Sequence, residues 1–234
     1  TQSGKTTATF NVEVLKNLIG DATAVESEEK YGLNWHGKRR ARQIALTPST
    51  GTLRPCPEQS VEWDTTQNLM IEGDNLEVLK LLQKSYAGKV KLIYIDPPYN
   101  TGKDFVYPDN FQDNIKNYLE LTGQTEGGAK ITTNTEASGR FHTDWLNMIY
   151  PRLKLARDLL HEEGVLFITI DCKELDNLSS VLKELFGPEN FATTFIWEKR
   201  RSSENRQAFS VNHDYIVCIA KNKPVFDTVR AMLT

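Results

Sequence analysis

Val90-Lys91-Leu92-Ile93-Tyr94-Ile95 runs directly into Asp96-Pro97-Pro98-Tyr99. The apolar run predicts a strand over 90–95. It stops at the diproline, because proline has no amide to donate to a ladder and clashes with a continuing helix. In open α/β sheets the ligand crevice lies beyond the carboxyl ends of the strands. The turn from Asp96 to Tyr99 therefore sits where a site is expected.

Working outward, Asn68 to Glu72 reads as a short strand leading through Gly73 and Asp74 into a helix from Asn75 to about Gln83, with Leu76, Leu79 and Leu82 as its buried stripe. Strand, helix, strand is the unit that builds a parallel sheet. Beyond the turn, Tyr107 to His142 is polar and rich in Asn, Thr and Gly, with one short helix expected around Asn114 to Leu121. A helix then fits Thr143 to His161, where Trp145, Ile149, Leu153, Ala156 and Leu160 share a stripe and Pro151 implies a kink. Val165 to Ile170 reads as the next strand. An amphipathic helix with Leu175, Leu178, Leu182 and Leu185 follows, stopped by Gly187 and Pro188. Thr193 to Trp197 and Tyr215 to Ala220 are expected to pair antiparallel. The sum is an α/β fold, a mostly parallel sheet with a hairpin at one edge.

Ahead of residue 66 the pattern is mixed. Val12, Leu15, Leu18 and Ile19 suit one short helix, and a polar stretch with Pro48, Gly51, Pro55 and Pro57 follows. The expected organisation is an N-terminal arm over 1–65 followed by the α/β domain over 66–234. The opening Ser3-Gly4-Lys5-Thr6-Thr7 resembles a phosphate loop in part, but it lacks the earlier glycine and the preceding strand.

Composition narrows the classes. With 39% hydrophobic and 25% charged residues in a chain of 234, the protein is an ordinary globular one. No apolar run approaches a membrane span and no basic-then-apolar leader opens the sequence, so the cytoplasm is expected. Cys56, Cys172 and Cys218 are odd in number, far apart and without CxxC spacing, and they read as reduced thiols. No metal site is expected. A net charge of −3 means that nucleic-acid binding has to come from local patches. Lys38, Arg39, Arg40 and Arg42 form one candidate, and Lys199, Arg200, Arg201 and Arg206 another. Either run is also compatible with a merely solvated surface.

A carboxylate, two stiffening prolines and an aromatic ring suit a flat base bearing an exocyclic amine. That nitrogen is a poor nucleophile, because its lone pair is delocalised into the ring. If Asp96 accepts one N–H bond and the Pro97 carbonyl the other, the nitrogen is held towards tetrahedral geometry with its lone pair free to attack. A hydrogen bond to a charged group is worth about 1.5 to 3 kcal/mol, so its loss in the transition state costs roughly 10- to 100-fold in rate. Tyr99 would stack on the base, a contact worth about 1 to 3 kcal/mol that helps offset flipping it out of a duplex. The competing reading is a Pro-Pro turn whose Asp only caps local backbone.

The longer string weighs against that. Asp96 to Tyr107 (DPPYNTGKDFVY), preceded by Gly73 to Lys80 (GDNLEVLK), resembles the amino-methyltransferases of the permuted beta class, and most of all the modification (Mod) subunits of type III restriction-modification systems. The resemblance extends to Tyr31–Lys38, Asp144–Leu160, Gly164–Asp171, Phe195–Arg200 and His213–Asn222. It implies an S-adenosylmethionine-dependent, Rossmann-like methyltransferase sheet that methylates adenine in double-stranded DNA. Asp96, Pro97, Pro98 and Tyr99 would form the catalytic turn, Asp74 and Asn75 would contact the adenosine end of S-adenosylmethionine, and Lys199, Arg200 and Arg201 would contact DNA. A helicase-nuclease restriction subunit, a homodimer and the prokaryotic cytoplasm come with that implication. Asp74 also suits simple helix capping. Asp171, ending the next strand, faces the crevice or caps.

The family's FxGxG cofactor loop is not found, since Gly127 and Gly128 follow no strand and open no helix. No stretch of these residues is expected to form the family's target recognition domain. In this fold the strands that carry the cofactor loop lie between those led by Asp74 and Asp96, so a gap is expected in the sheet and the isolated chain is expected to be inactive or to need completion. Two other readings remain: methylation of RNA or of a protein glutamine, and a non-catalytic module that binds DNA or a partner. Asp rather than Asn at position 96 argues against the glutamine version.

Overall fold

The computed structural model describes residues 32–100, 125–126, 129–130, 140–199 and 211–229. The helices expected around Val12 and around Asn114 fall outside them.

The predicted strand appears as β1 (Val90–Ile95). It pairs in parallel with β4 (Leu160–Ile170), which is reached through the long helix α3 (Arg140–Leu159). The helix continues unbroken through Pro151. Gly164 lies where β4 closes against β1: a Cβ there would meet the carbonyl oxygens of Val90 and His161 at 2.8 Å each, so only glycine fits. After β4 comes α4 (Leu175–Phe186), with Leu178, Val181, Leu182 and Phe186 buried. It ends at Gly187, whose φ of 94° favours glycine. β5 (Phe191–Glu198) and β6 (His213–Ala220) form the expected antiparallel pair, and β6 also pairs antiparallel with β4. A short pairing of β2 (Thr125–Glu126) with β3 (Ala129–Lys130) stands apart, and α5 (Lys223–Val229) follows β6.

The main sheet has the order β1-β4-β6-β5. It is α/β as expected, but mixed rather than mostly parallel, because only the β1–β4 pairing is parallel and β6 runs against both of its neighbours. The strand expected at Asn68–Glu72 is not formed. Leu69 is 69% exposed and Met70 95%, and no described strand lies beside them. A strand is held by the ladder of a neighbour, so an apolar run without one stays irregular. The helix after it does form, as α2 (Asn75–Tyr86).

One face of the sheet carries the core. Ile93 and Ile95 of β1 pack with Leu166, Ile168 and Ile170 of β4 and with Val217 and Ile219 of β6, against Trp145, Ile149 and Leu153 of α3 and the buried stripe of α4. The opposite face is buried at Val165, Cys218 and Ala220 but exposed on its outer strands. The register aligns Leu92 and Tyr94 with Val165 and Phe167, and Phe195 and Trp197 with Ile216 and Asp214, so all four side chains share that face. They are 49–62% exposed.

Residues 32–46 join the core. α1 (Lys38–Leu46) packs on α3 through Ala41 and Ala45, with Ala41 in the main cluster. Trp35 Nε1 donates to Asn147 Oδ1 at 2.7 Å, and Asn147 Nδ2 donates to the His36 carbonyl at 3.1 Å. The basic run in this helix is therefore not an open DNA patch throughout. Lys38 is buried against Glu184 at 3.0 Å, with Arg42 3.8 Å from the same carboxylate. Among the described residues no helix is long and apolar enough to cross a membrane.

Candidate active site

Asp96 is exposed where β1 ends. Its Oδ1 accepts from the Thr169 hydroxyl at 2.5 Å, so β4 orients the carboxylate across the parallel ladder. The backbone of the turn is held from below. The indole Nε1 of Trp145, a side chain with no exposed surface, donates to the Pro98 carbonyl at 2.7 Å. Tyr99 is partly buried and packs against the edge of the main core. Burial pushes its phenol above the ordinary value; the Thr169 hydroxyl works against that rise, and the Asp96 carboxylate beside it adds to it. Acid, ring and hydroxyl thus meet at one rim of the sheet. A rigid turn presenting one oriented carboxylate can accept a hydrogen bond from an amine without reorganising.

The same rim holds two further acids. Asp171 ends β4 and accepts from the Lys173 amide at 2.8 Å, while burial raises its carboxyl above the ordinary range and Asp214 adds to that rise. The charge of Asp214 also reaches Tyr99. Lys199, expected at a DNA phosphate, lies just past β5 with its Nζ 2.6 Å from Asp214 Oδ1. Its expected companions Arg200, Arg201 and Arg206 lie outside the described residues.

Asp74 caps α2, accepting from the amides of Leu76 at 3.0 Å and Glu77 at 3.1 Å through one oxygen, and it remains exposed. Asn75 Oδ1 accepts from Arg152 Nε at 2.7 Å. Trp145 and Arg152 are seven residues apart on α3. Seven residues make two turns, so both side chains leave one face of the helix about 10 Å apart along its axis. α3 thereby fixes the Asp96–Tyr99 turn and the start of α2 to a single rigid element.

Sequence reasoning missed Thr169, Asp214 and Glu174. Thr169 was legible only through the register that sets it beside Asp96, and Asp214 only through its ion pair with Lys199. Glu174 carries no local signal beyond an acid ahead of a helix. No group of three or more His, Cys, Asp or Glu able to hold a metal occurs among the described residues.

The carboxylate and tyrosine thus stand on a Pro-Pro turn at the carboxyl end of a sheet strand, and comparison with known proteins gives the family of the chain. The family model for DNA methylases of the N6 and N4 type matches residues 90–232, and the chain belongs to that family. Among individual proteins, it is 41% identical over 218 residues to the Mod subunit of the type III restriction-modification enzyme EcoP15I of Escherichia coli, covering 92% of this chain and 34% of that one. It is 42% identical over 222 residues to the EcoPI Mod subunit of Escherichia phage P1, with the same coverage. The StyLTI Mod subunit of Salmonella typhimurium is 37% identical over 195 residues, covering 82% and 30%. The chain thus spans about a third of the length of the curated relatives it matches.

Proposed function

We propose that this chain is the base-handling part of a site-specific DNA methyltransferase that moves a methyl group from S-adenosylmethionine to the exocyclic amine of adenine, in the modification subunit of a type III restriction-modification system. The observation that carries this reading is the exposed Asp96 carboxylate, oriented by Thr169 on a turn whose Pro98 carbonyl is gripped by a buried indole. Asp96 accepts one N–H of the flipped base and the Pro97 carbonyl the other, which frees the nitrogen lone pair for attack. Tyr99 stacks on the base. S-adenosylmethionine, when bound, supplies a methyl group made electrophilic by its sulfonium.

Asp74 fits the adenosine end of that cofactor in one respect: it is exposed, and a single oxygen accounts for both capping bonds. Asn75 is engaged with Arg152, so its contribution is to set the start of α2. Lys199, with Arg200 and Arg201, contacts DNA phosphates in this reading, Lys199 exchanging Asp214 for the backbone.

We also infer that residues 66–234 form a partial catalytic domain behind an N-terminal arm. The segment bearing the cofactor loop would lie along β1 and across the sheet face opposite the core. Support comes from the exposure of Leu92, Tyr94, Phe195 and Trp197 and from the unpaired run at Asn68–Glu72. Double-stranded DNA, a helicase-nuclease restriction subunit and a second copy of the chain are the partners this reading brings, in the cytoplasm of a prokaryote.

Calorimetry and nucleoside analysis test it. The full-length protein should release or absorb heat on titration with S-adenosylmethionine, and digestion of DNA it has methylated should yield N6-methyladenine. Methylcytosine would refute the adenine assignment. Absence of both cofactor binding and transfer would favour the non-catalytic binding module.

A further inference from the structure

Glu174 stands immediately before α4, where a polar side chain ordinarily satisfies the helix's own amide groups. It makes no such cap. Its side chain is fully buried and reaches across the molecule instead. Oε1 accepts from Asn100 Nδ2 at 2.5 Å and lies 2.7 Å from His142 Nδ1, while Oε2 accepts from Asn177 Nδ2 at 2.8 Å. In the tautomer that carries its proton on Nδ1, His142 donates to that carboxylate. A carboxylate withdrawn from water is kept only where donors replace the lost solvent, and three side chains do so here.

Asn100 is the reason this grip matters. It follows Tyr99 directly, is 2% exposed, and has a φ of 59°, in the left-handed region that most side-chain-bearing residues avoid and Asn tolerates best. Whatever fixes Asn100 fixes the exit of the catalytic turn. His142 and Trp145 are three residues apart and share a face of α3. The turn is thus held twice from that face, at the Pro98 carbonyl by Trp145 and at Asn100 through the carboxylate that His142 touches.

We propose that Glu174 is a positioning residue for the Asp96–Tyr99 turn, its buried carboxylate locking Asn100 into the left-handed conformation from which Asp96 and Tyr99 face the crevice. The consequence for methyl transfer rests on the functional reading above; the anchoring does not.

The test uses the full-length protein carrying Glu174→Gln, which keeps the side chain's shape and removes its charge. One readout is the indole N–H resonance of Trp145, which reports the turn without any substrate. The other is steady-state transfer from tritiated S-adenosylmethionine to unmethylated genomic DNA. The resonance should move, and kcat should fall about 10- to 100-fold with KM for DNA within about twofold. Adding Asn100→Gly should recover much of the lost kcat, because glycine holds a left-handed turn without a brace. An unmoved resonance with unchanged kcat overturns the proposal, as does a loss that Asn100→Gly fails to rescue. If the unaltered protein transfers no methyl group, the functional reading fails and the resonance alone decides the anchoring. Should Glu174→Gln not fold, Asn177→Ala, which strips only Oε2 of its donor, takes its place: a moved resonance with reduced kcat supports the proposal, and no change in either overturns it.

Discussion

Asp74 and Asp96 each follow a short apolar run in the sequence, yet they end up in very different surroundings. Asp96 leaves a strand paired with β4, is oriented by Thr169, and stands on a turn gripped by Trp145 and, through Asn100, by Glu174. Asp74 leaves a run in which Met70 is almost fully exposed, and the contacts there are its own cap and the Asn75–Arg152 bond. A turn is held rigid where side chains from several elements converge on it, as Trp145, Thr169 and Glu174 do around Asp96. Asp74 is tied in through the start of α2, by Arg152 and the buried Leu76.

The sharpest break of this contrast is Trp145→Ala. It removes a fully buried ring and leaves the Pro98 carbonyl without its donor, so denaturant unfolding should show a loss of about 3 to 5 kcal/mol. A loss under about 1 kcal/mol would mean that the turn is not built on the core.

A second effect concerns pH. Burial pushes the Cys218 thiol from 9.0 to about 11. Above pH 9 the unfolded chain loses this proton first, so the folded state binds more protons and stability falls as pH rises towards about 11. Below pH 9 this group contributes no slope. Cys218→Ala should flatten that alkaline fall, and thiol labelling at about pH 8 should modify the exposed Cys172 well before Cys218.

Around Asp74 the effects should be smaller. Asp74→Ala loses a cap and should cost about 1 kcal/mol. Asp74→Ser keeps the cap and so sharpens the comparison: stability should return while affinity for S-adenosylmethionine does not. Recovery of both would reduce Asp74 to a capping residue. Smallest of all, Met70→Ser should change stability by no more than about 0.5 kcal/mol. A larger loss would show that Asn68–Glu72 is packed after all.

Much of this was legible in the sequence, for reasons the same contrast explains. β1, the hairpin of β5 and β6, and α4 carry their own signals: a diproline stop, paired apolar runs, a leucine stripe closed by Gly187 and Pro188. Asn68–Glu72 carries a strand's local signal as well, but its ladder partner is a distant matter that the local pattern cannot supply. α1 was missed because its buried contacts are two alanines among basic residues, too small to register as an apolar stripe. Glu174 was hidden because an acid ahead of a helix has a common local use, and only the fold reveals that its carboxylate turns to Asn100 instead.

The carboxylate on which the functional account turns is tested most directly by Asp96→Ala in the full-length protein, with DNA binding and N6-methyladenine formation measured side by side. The expected result is DNA affinity within a few-fold of the unaltered protein and no detectable methyladenine. Undiminished methylation by the variant would contradict the role assigned to Asp96 and, with it, the reading of the turn as the place where the base is held.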